Sequence, residues 1–358
     1  MKLVKIAGLT GTTLLLAGLI AAFAGCAPET KGGESSSTAT TGSTAQSGGE
    51  SKADYSGQEL SIDGSGTVFP IAAAATELFN STMGQAKITV GKSGTGSGMK
   101  MFVKGEIGIA DASRPIKADE IAELEKAKIE FIEMPVALDG LCIIVNKENT
   151  WLKSITIEQL HKIWDKDSKV KMWSEVDPSW PKEEIKLYGP TDAHGTYEYF
   201  NEVVNGKKDN VRPDYSQQSE YDPLIAGVAG DKNSLGYVGF AYYDGNKDKV
   251  RAVPVDGGKG PVEPSEASIS DGTYSPFGRP LFMYVNKAKM GESKLLADFV
   301  AFMLGEHGSE AVKAGDYLPL PADIAAMVKT RVEAGTTGSI FSAAAPGSSV
   351  ADILKNAK

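Results

Sequence analysis

The sequence predicts an α/β fold of two lobes. Short apolar runs alternate with helix-like stretches from residue 60 to 128, the signature of strands packed against helices in a mostly parallel sheet. Several of those stretches are entered through loops rich in glycine and hydroxyl side chains. Two hydrophobic strands with Pro and Gly around them, near 134–145 and 276–285, read as a pair of crossings between the lobes.

The ends of the chain stand apart from this pattern. Lys2 and Lys5 precede 20 uncharged residues, Ile6 to Gly25, which have the form of a secretory signal rather than of fold-forming structure. The run closes on Phe23-Ala24-Gly25-Cys26, which resembles a bacterial lipoprotein cleavage box, with Phe23 in place of the usual aliphatic residue. Residues 1–25 are therefore expected to be a lipoprotein leader and Cys26 the lipidated first residue of the mature protein, with an uncleaved anchor helix as the alternative; either way the domain lies outside the cytoplasm, tethered to the cell membrane. Residues 26–56 are Ser, Thr, Gly, Ala and Glu with few apolar side chains, too few to offset the entropy of ordering, and are expected to be a flexible tether.

The elements follow in order. Leu60–Asp63 is a strand, and 70–79 is a helix with Pro70 near its first turn. Ile88–Val90 is a strand followed by a short helix, Met99–Val103. Ile107–Ala110 is a third strand, and 117–128 is a charged amphipathic helix. The runs Glu133–Leu138 and Leu141–Val145 carry the chain onward, and Ile185–Tyr188 is another strand. The cluster Leu235–Tyr243 reads as core, because aromatic side chains dominate ordinary cores.

Composition narrows the function. After the tether about 300 residues remain, one large domain or two of ordinary size. A net charge of −9 with no basic run argues against a nucleic-acid partner. Cys142, in the apolar run Leu141–Val145, has no partner once Cys26 is lipidated, so no disulfide is expected. His161, His194 and His307 are scattered, and no metal site is expected. Gly91-Lys92-Ser93 is not a nucleotide phosphate loop, since Ala86 stands where that motif needs its first glycine. A hydrolase nucleophile elbow is also missing, because no serine has glycine two residues away on both sides.

The loops are the informative feature. Gly64 to Pro70, Ser93 to Gly98 and His194-Gly195-Thr196 each run straight into a helix-like stretch. A helix N-terminus offers unpaired N–H groups and a partial positive charge, and small residues let the backbone approach a ligand closely. Three such loops suggest a cage for a small oxyanion. Asp111, Ser113 and Arg114 place a carboxylate, a hydroxyl and a guanidinium at the end of the third strand. Arg can grip two oxygens, and Asp can accept a hydrogen bond only from an anion that still carries a proton. Such a carboxylate favours hydrogen phosphate over sulfate.

The motifs Asp63 to Pro70, Ser93 to Gly96, Ala112 to Ile116, Gly195 to Phe200, Arg212 to Tyr215 and Gly227 to Tyr237, in this order, resemble the solute-binding lipoproteins of phosphate ABC importers. The resemblance covers nearly the whole chain from about residue 58. It implies a type II periplasmic-binding fold with two crossing hinge strands, lobe I from 57–138 and 276–358, lobe II from 139–275, and phosphate in the cleft. It implies inorganic phosphate as ligand, no cofactor, no reaction, a monomer, and delivery to a membrane permease and its ATPase.

Carried over by position, Val68 and Phe69 contribute backbone N–H groups with Thr67 alongside, Thr95 a hydroxyl, and Gly96 and Ser97 the rest of their loop. Asp111 stands near the family's proton-accepting carboxylate, Ser113 and Arg114 belong to the Ser-Arg-Pro branch, and Gly195 and Thr196 come from the second lobe. His194 departs from the pattern, where relatives carry serine. Gly189 and Pro190 stand near where some relatives place an arginine, so Arg114 is taken as the source of positive charge. The alternatives are another tetrahedral oxyanion such as sulfate or molybdate, an extracytoplasmic phosphohydrolase, or a surface protein that keeps the fold without the ligand.

Overall fold

A computed structural model describes residues 52–192, 194–207, 210–344 and 348–357. The leader, Cys26 and the chain through residue 51 lie outside the described residues.

The main sheet has ten strands. At one end Lys87–Val90, Glu59–Gly64 and Ile109–Ala112 run parallel, with Ile62 opposite both Val90 and Ile109. At the other end Ser234–Gly239, Lys186–Pro190 and Ser216–Gln218 are also parallel. Between them lie Gly278–Asn286 and Phe131–Asn146, antiparallel to each other and to their outer neighbours. The sheet is thus mixed, not mostly parallel. Each flank is built by strand–helix–strand units, which force parallel pairing, while the chain passes between flanks by strands that enter from opposite ends.

Glu133–Leu138 and Leu141–Val145, two runs in the sequence, form one strand of 16 residues, Phe131–Asn146. Its first part pairs with Gly278–Asn286 through Gly140, and from Leu141 onward it pairs with Ser234–Gly239 and Val250–Ala252. One strand therefore serves both half-sheets. All but one of its residues are buried, as expected for a strand covered on both faces. Cys142 is fully buried there, and burial pushes its thiol well above the usual range.

Helices follow the first strands closely: Phe69–Thr82 buries Ile71, Ala72, Ala75 and Phe79 against the core, and Thr95–Val103 buries Met99 and Phe102. The second helix starts four residues earlier than its apolar pattern indicates, within the Gly-rich loop itself. Residues 52–56 also differ from the expected tether. Tyr55 is buried, 5.4 Å from the Phe79 ring, and its hydroxyl donates to Asp298 Oδ2 at 2.9 Å. One aromatic ring in a polar tract buries enough apolar surface to fix the segment.

Candidate functional site

The first loop leaves the sheet at Gly64, whose φ of +145° and missing Cβ let it lie against the Asp111 carbonyl. Ser65 then organises the turn. Its N–H donates to Asp111 O at 2.9 Å, its hydroxyl accepts from Thr67 N at 3.1 Å, and its carbonyl accepts from Val68 N at 3.2 Å and Phe69 N at 3.0 Å. The backbone donors assigned to Val68 and Phe69 are thus turned inward to Ser65. An N–H spent on an internal acceptor is not free for an anion unless that bond is exchanged.

The second loop is held by Asp63, whose Oδ1 accepts from Gly64 N at 2.7 Å and Ser93 N at 2.9 Å. Gly94 N donates to Gly64 O at 2.7 Å, and a Cβ on Gly98 would lie 2.6 Å from Gly64 Cα, so only glycine lets this helix start so close to the first loop. Ser97 N returns to Gly94 O at 3.0 Å. The N–H groups of Thr95 and Gly96 have no acceptor among the described residues. Thr95 Oγ1 lies 3.3 Å from Ser113 N, which donates to it, and 3.4 Å from Ser113 Oγ. Loop and Ser-Arg-Pro branch are therefore joined.

Asp111 lies between Gly64 and Met283 in the sheet, is fully buried, and neither carboxyl oxygen has a hydrogen-bond partner among the described residues. Burial, and secondarily the charge of Asp63, hold its carboxyl well above the usual carboxylate range. A buried carboxyl without a partner is costly, and a protonated oxyanion is a partner that would satisfy it.

The third loop begins the helix Gly195–Asn205. A Cβ on Gly195 would lie 2.6 Å from both Cα and Oγ1 of Thr67, so the first and third loops touch. The Thr196 hydroxyl lies 2.7 Å from the Tyr221 hydroxyl, and the N–H groups of Gly195 and Thr196 have no acceptor among the described residues. His194 departs from an anion-facing role: its Nε2 lies 2.8 Å from Ser219 O, to which it donates, and its ring sits 4.8 Å from that of Tyr221. None of the three helices carries a side-chain hydrogen bond on its N-terminus, whereas the helices starting at Ile157, Glu266 and Lys294 are capped by Thr156, Ser265 and Ser293.

The Thr67–Gly195 contact stands between two cavities. One, of about 490 Å³, is lined by Gly66, Phe69, His194, Gly195 and Thr196, with Tyr221, Tyr242 and Tyr317 opposite. The other, of about 390 Å³, is lined by Ser65, Thr95, Gly96, Ser97, Ser113 and Arg114. Arg114 does not offer the free cation expected of it: its Nη1 and Nη2 donate to Glu120 Oε2 at 2.9 Å and Oε1 at 2.7 Å, so its fork is already filled by a carboxylate.

The profile of the PBP superfamily domain matches residues 33–307. Protein SphX of Synechocystis is 38% identical over 298 residues, 83% of this chain and 87% of the relative. The phosphate-binding protein PstS of Staphylococcus aureus is 36% identical over 276 residues, 76% of this chain and 82% of the relative. The chain belongs to this family of phosphate-binding proteins. A crystal structure described as a possible phosphate binding protein from Planctomyces limnophilus superposes with a TM-score of 0.75 at 41% identity, over 78% of this chain and 99% of that one.

Within that family fold, the structure brings Thr95, Gly96, Ser97, Ser113 and Arg114 to one cavity and Phe69, His194, Gly195 and Thr196 to the other, with Thr67, Val68 and Asp111 buried between the loops or beneath them. Tyr242, expected in the core, lines the first cavity instead and donates to Asp222. Sequence reading missed Asp63 and Ser65, the residues that shape the loops. It also missed Arg279 and Asp139. The available signal was the few charges in otherwise apolar crossing strands, Glu133 and Asp139 on one and Arg279 on the other.

Proposed function

We propose that this chain captures inorganic phosphate between its two lobes and passes it to the permease of an ABC importer driven by a cytoplasmic ATPase. The observation that carries this reading is Asp111, a fully buried carboxyl with no partner among the described residues, placed directly beneath the loop that opens the helix Phe69–Thr82. Helix N-termini offer donors and partial positive charge to the anion, and the carboxyl accepts the proton that hydrogen phosphate retains. The ligand set proposed is Asp111 from beneath the loops, Thr95, Gly96 and Ser113 from one cavity and Gly195 and Thr196 from the other, with the Thr67–Gly195 contact between them giving way as the anion enters. Thr67 forms the contact between the sides. The names of the relatives support phosphate over other oxyanions and a binding role over a hydrolytic one.

The lobe boundaries we propose are 57–138 with 276–358, and 139–275, with a leader through residue 25. Lipidation at Cys26 then tethers the protein to the cell membrane outside the cytoplasm, on its outer face or periplasmic side.

Calorimetry of the full chain in detergent against phosphate, sulfate, arsenate and molybdate tests the reading. Above the pH at which Asp111 of the free protein ionises, phosphate and arsenate should bind and sulfate and molybdate should bind far more weakly. Binding of sulfate as tight as phosphate would sink it.

A further inference from the structure

The two cavities carry the exposed lysines Lys92, Lys100 and Lys117 on their walls but no free guanidinium, since Arg114 is taken by Glu120. Of the five arginines in the chain, Arg212 and Arg251 donate to backbone carbonyls elsewhere in the fold. Arg279 is differently placed. It opens the crossing strand Gly278–Asn286 and lies directly across the ladder from Asp139 on the other crossing strand. Its Nε and Nη2 both point to the one oxygen Oδ2 of Asp139 at 3.1 Å, and its Cζ sits 3.3 Å above the centre of the Tyr199 ring. Nη2 also reaches Thr67 Oγ1 at 3.4 Å. Thr67 belongs to the first loop and Tyr199 to the helix of the third loop, so the guanidinium touches both sides of the cleft where the two loops meet.

We propose that Arg279, not Arg114, is the cationic ligand of the bound oxyanion, with Asp139 and Tyr199 as positioning residues that fix its plane. This rests on the phosphate reading. A guanidinium has five N–H donors, and here Nη1 has no acceptor among the described residues while the other donors converge on one carboxylate oxygen and one hydroxyl. The side chain is largely buried, so it is held in one orientation, and its remaining donors are of the kind that pair two anion oxygens at once. Stacking on Tyr199 and the cross-strand carboxylate remove the rotamer freedom that binding would otherwise have to freeze. Because the group spans both sides, it also links anion binding to the meeting of Thr67 and Gly195.

The test is phosphate calorimetry on the full chain with three variants. Arg279→Lys keeps the charge that balances Asp139 but loses the planar fork, and its phosphate affinity should fall roughly 10- to 150-fold, the usual worth of a charge-assisted hydrogen bond. Arg114→Ala should bind within about threefold of the parent, as expected when the lost guanidinium served Glu120 and not the anion. Asp139→Asn leaves the guanidinium un-neutralised and should tighten binding severalfold, a gain that a purely structural pair would not give. Parent-like affinity in Arg279→Lys, or a large loss in Arg114→Ala, overturns the assignment. If Arg279→Lys fails to fold, the result rests on Asp139→Asn, where unchanged or weaker binding overturns it. A parent chain that binds no phosphate at all refutes the function itself, a distinct outcome.

Discussion

The unpartnered carboxyl of Asp111 makes anion selectivity depend on pH in a definite sense. With its carboxyl held well above the ordinary range by burial, Asp111 in the free protein keeps its proton to higher pH than an exposed aspartate. Sulfate, which has no proton to give, can pair only with protonated Asp111, whereas hydrogen phosphate can donate its own proton to the ionised form. Sulfate affinity should therefore be level at low pH and then fall about tenfold per pH unit, or ~1.4 kcal/mol per unit, above the value at which Asp111 of the free protein ionises. Phosphate should not follow that slope once its own titration is subtracted, so selectivity for phosphate grows as pH rises. Asp111→Asn removes the titrating group and one charge-assisted hydrogen bond. It should abolish the sulfate slope and weaken phosphate by about 1.5–3 kcal/mol, roughly 10- to 150-fold. The same group gives the free protein a signature in stability. Its folded-state value is raised, so its contribution is full below the unfolded carboxylate range and is lost as pH rises through the folded value. Calorimetric titrations of both anions from pH 4 to 9, with melting curves of the ligand-free chain over the same range, measure all of this. A sulfate affinity without slope, or a slope that survives in Asp111→Asn, would refute the reasoning.

Three further outcomes are expected. Gly195→Ala places a methyl 2.6 Å from Thr67 Cα where the two loops already touch, so it should cost the ligand-free fold about 1–3 kcal/mol of overpacking, read as a lower melting temperature, and phosphate affinity in calorimetry should fall as the loops are pushed apart. His194→Ser should leave the pH profile of phosphate binding parallel to the parent, because the ring is committed to the Ser219 carbonyl; divergent curves would restore His194 as a charged ligand. Glu133 is buried and accepts from Ser339 Oγ and Tyr284 Oη and from the N–H groups of Ile340 and Phe341, so Glu133→Ala should destabilise the fold by about 3–5 kcal/mol in urea unfolding, with phosphate affinity unchanged at low denaturant.

The sequence by itself determined the elements and the loops. Gly64 to Pro70, Ser93 to Gly98 and His194 to Thr196 each open a helix because glycine, hydroxyl and proline chemistry at a helix start is local, and local chemistry is written in neighbouring residues. Periodicity likewise gave the apolar strands, including the two crossing strands, though the exchange of partners at Gly140 joins two of its runs into one. What the tertiary structure decided is which polar groups remain free. Val68 and Phe69 give their donors to Ser65 within their own turn, but Arg114 loses its fork to Glu120 and His194 turns to Ser219 through partners that packing selects. Asp111 is left unpaired, and Arg279, 140 residues from Asp139, is brought against Thr67 and Tyr199 by the pairing of the crossing strands. Hydrogen-bond valence is finite, so the availability of a donor or a charge is a property of the whole fold and not of the motif that carries it.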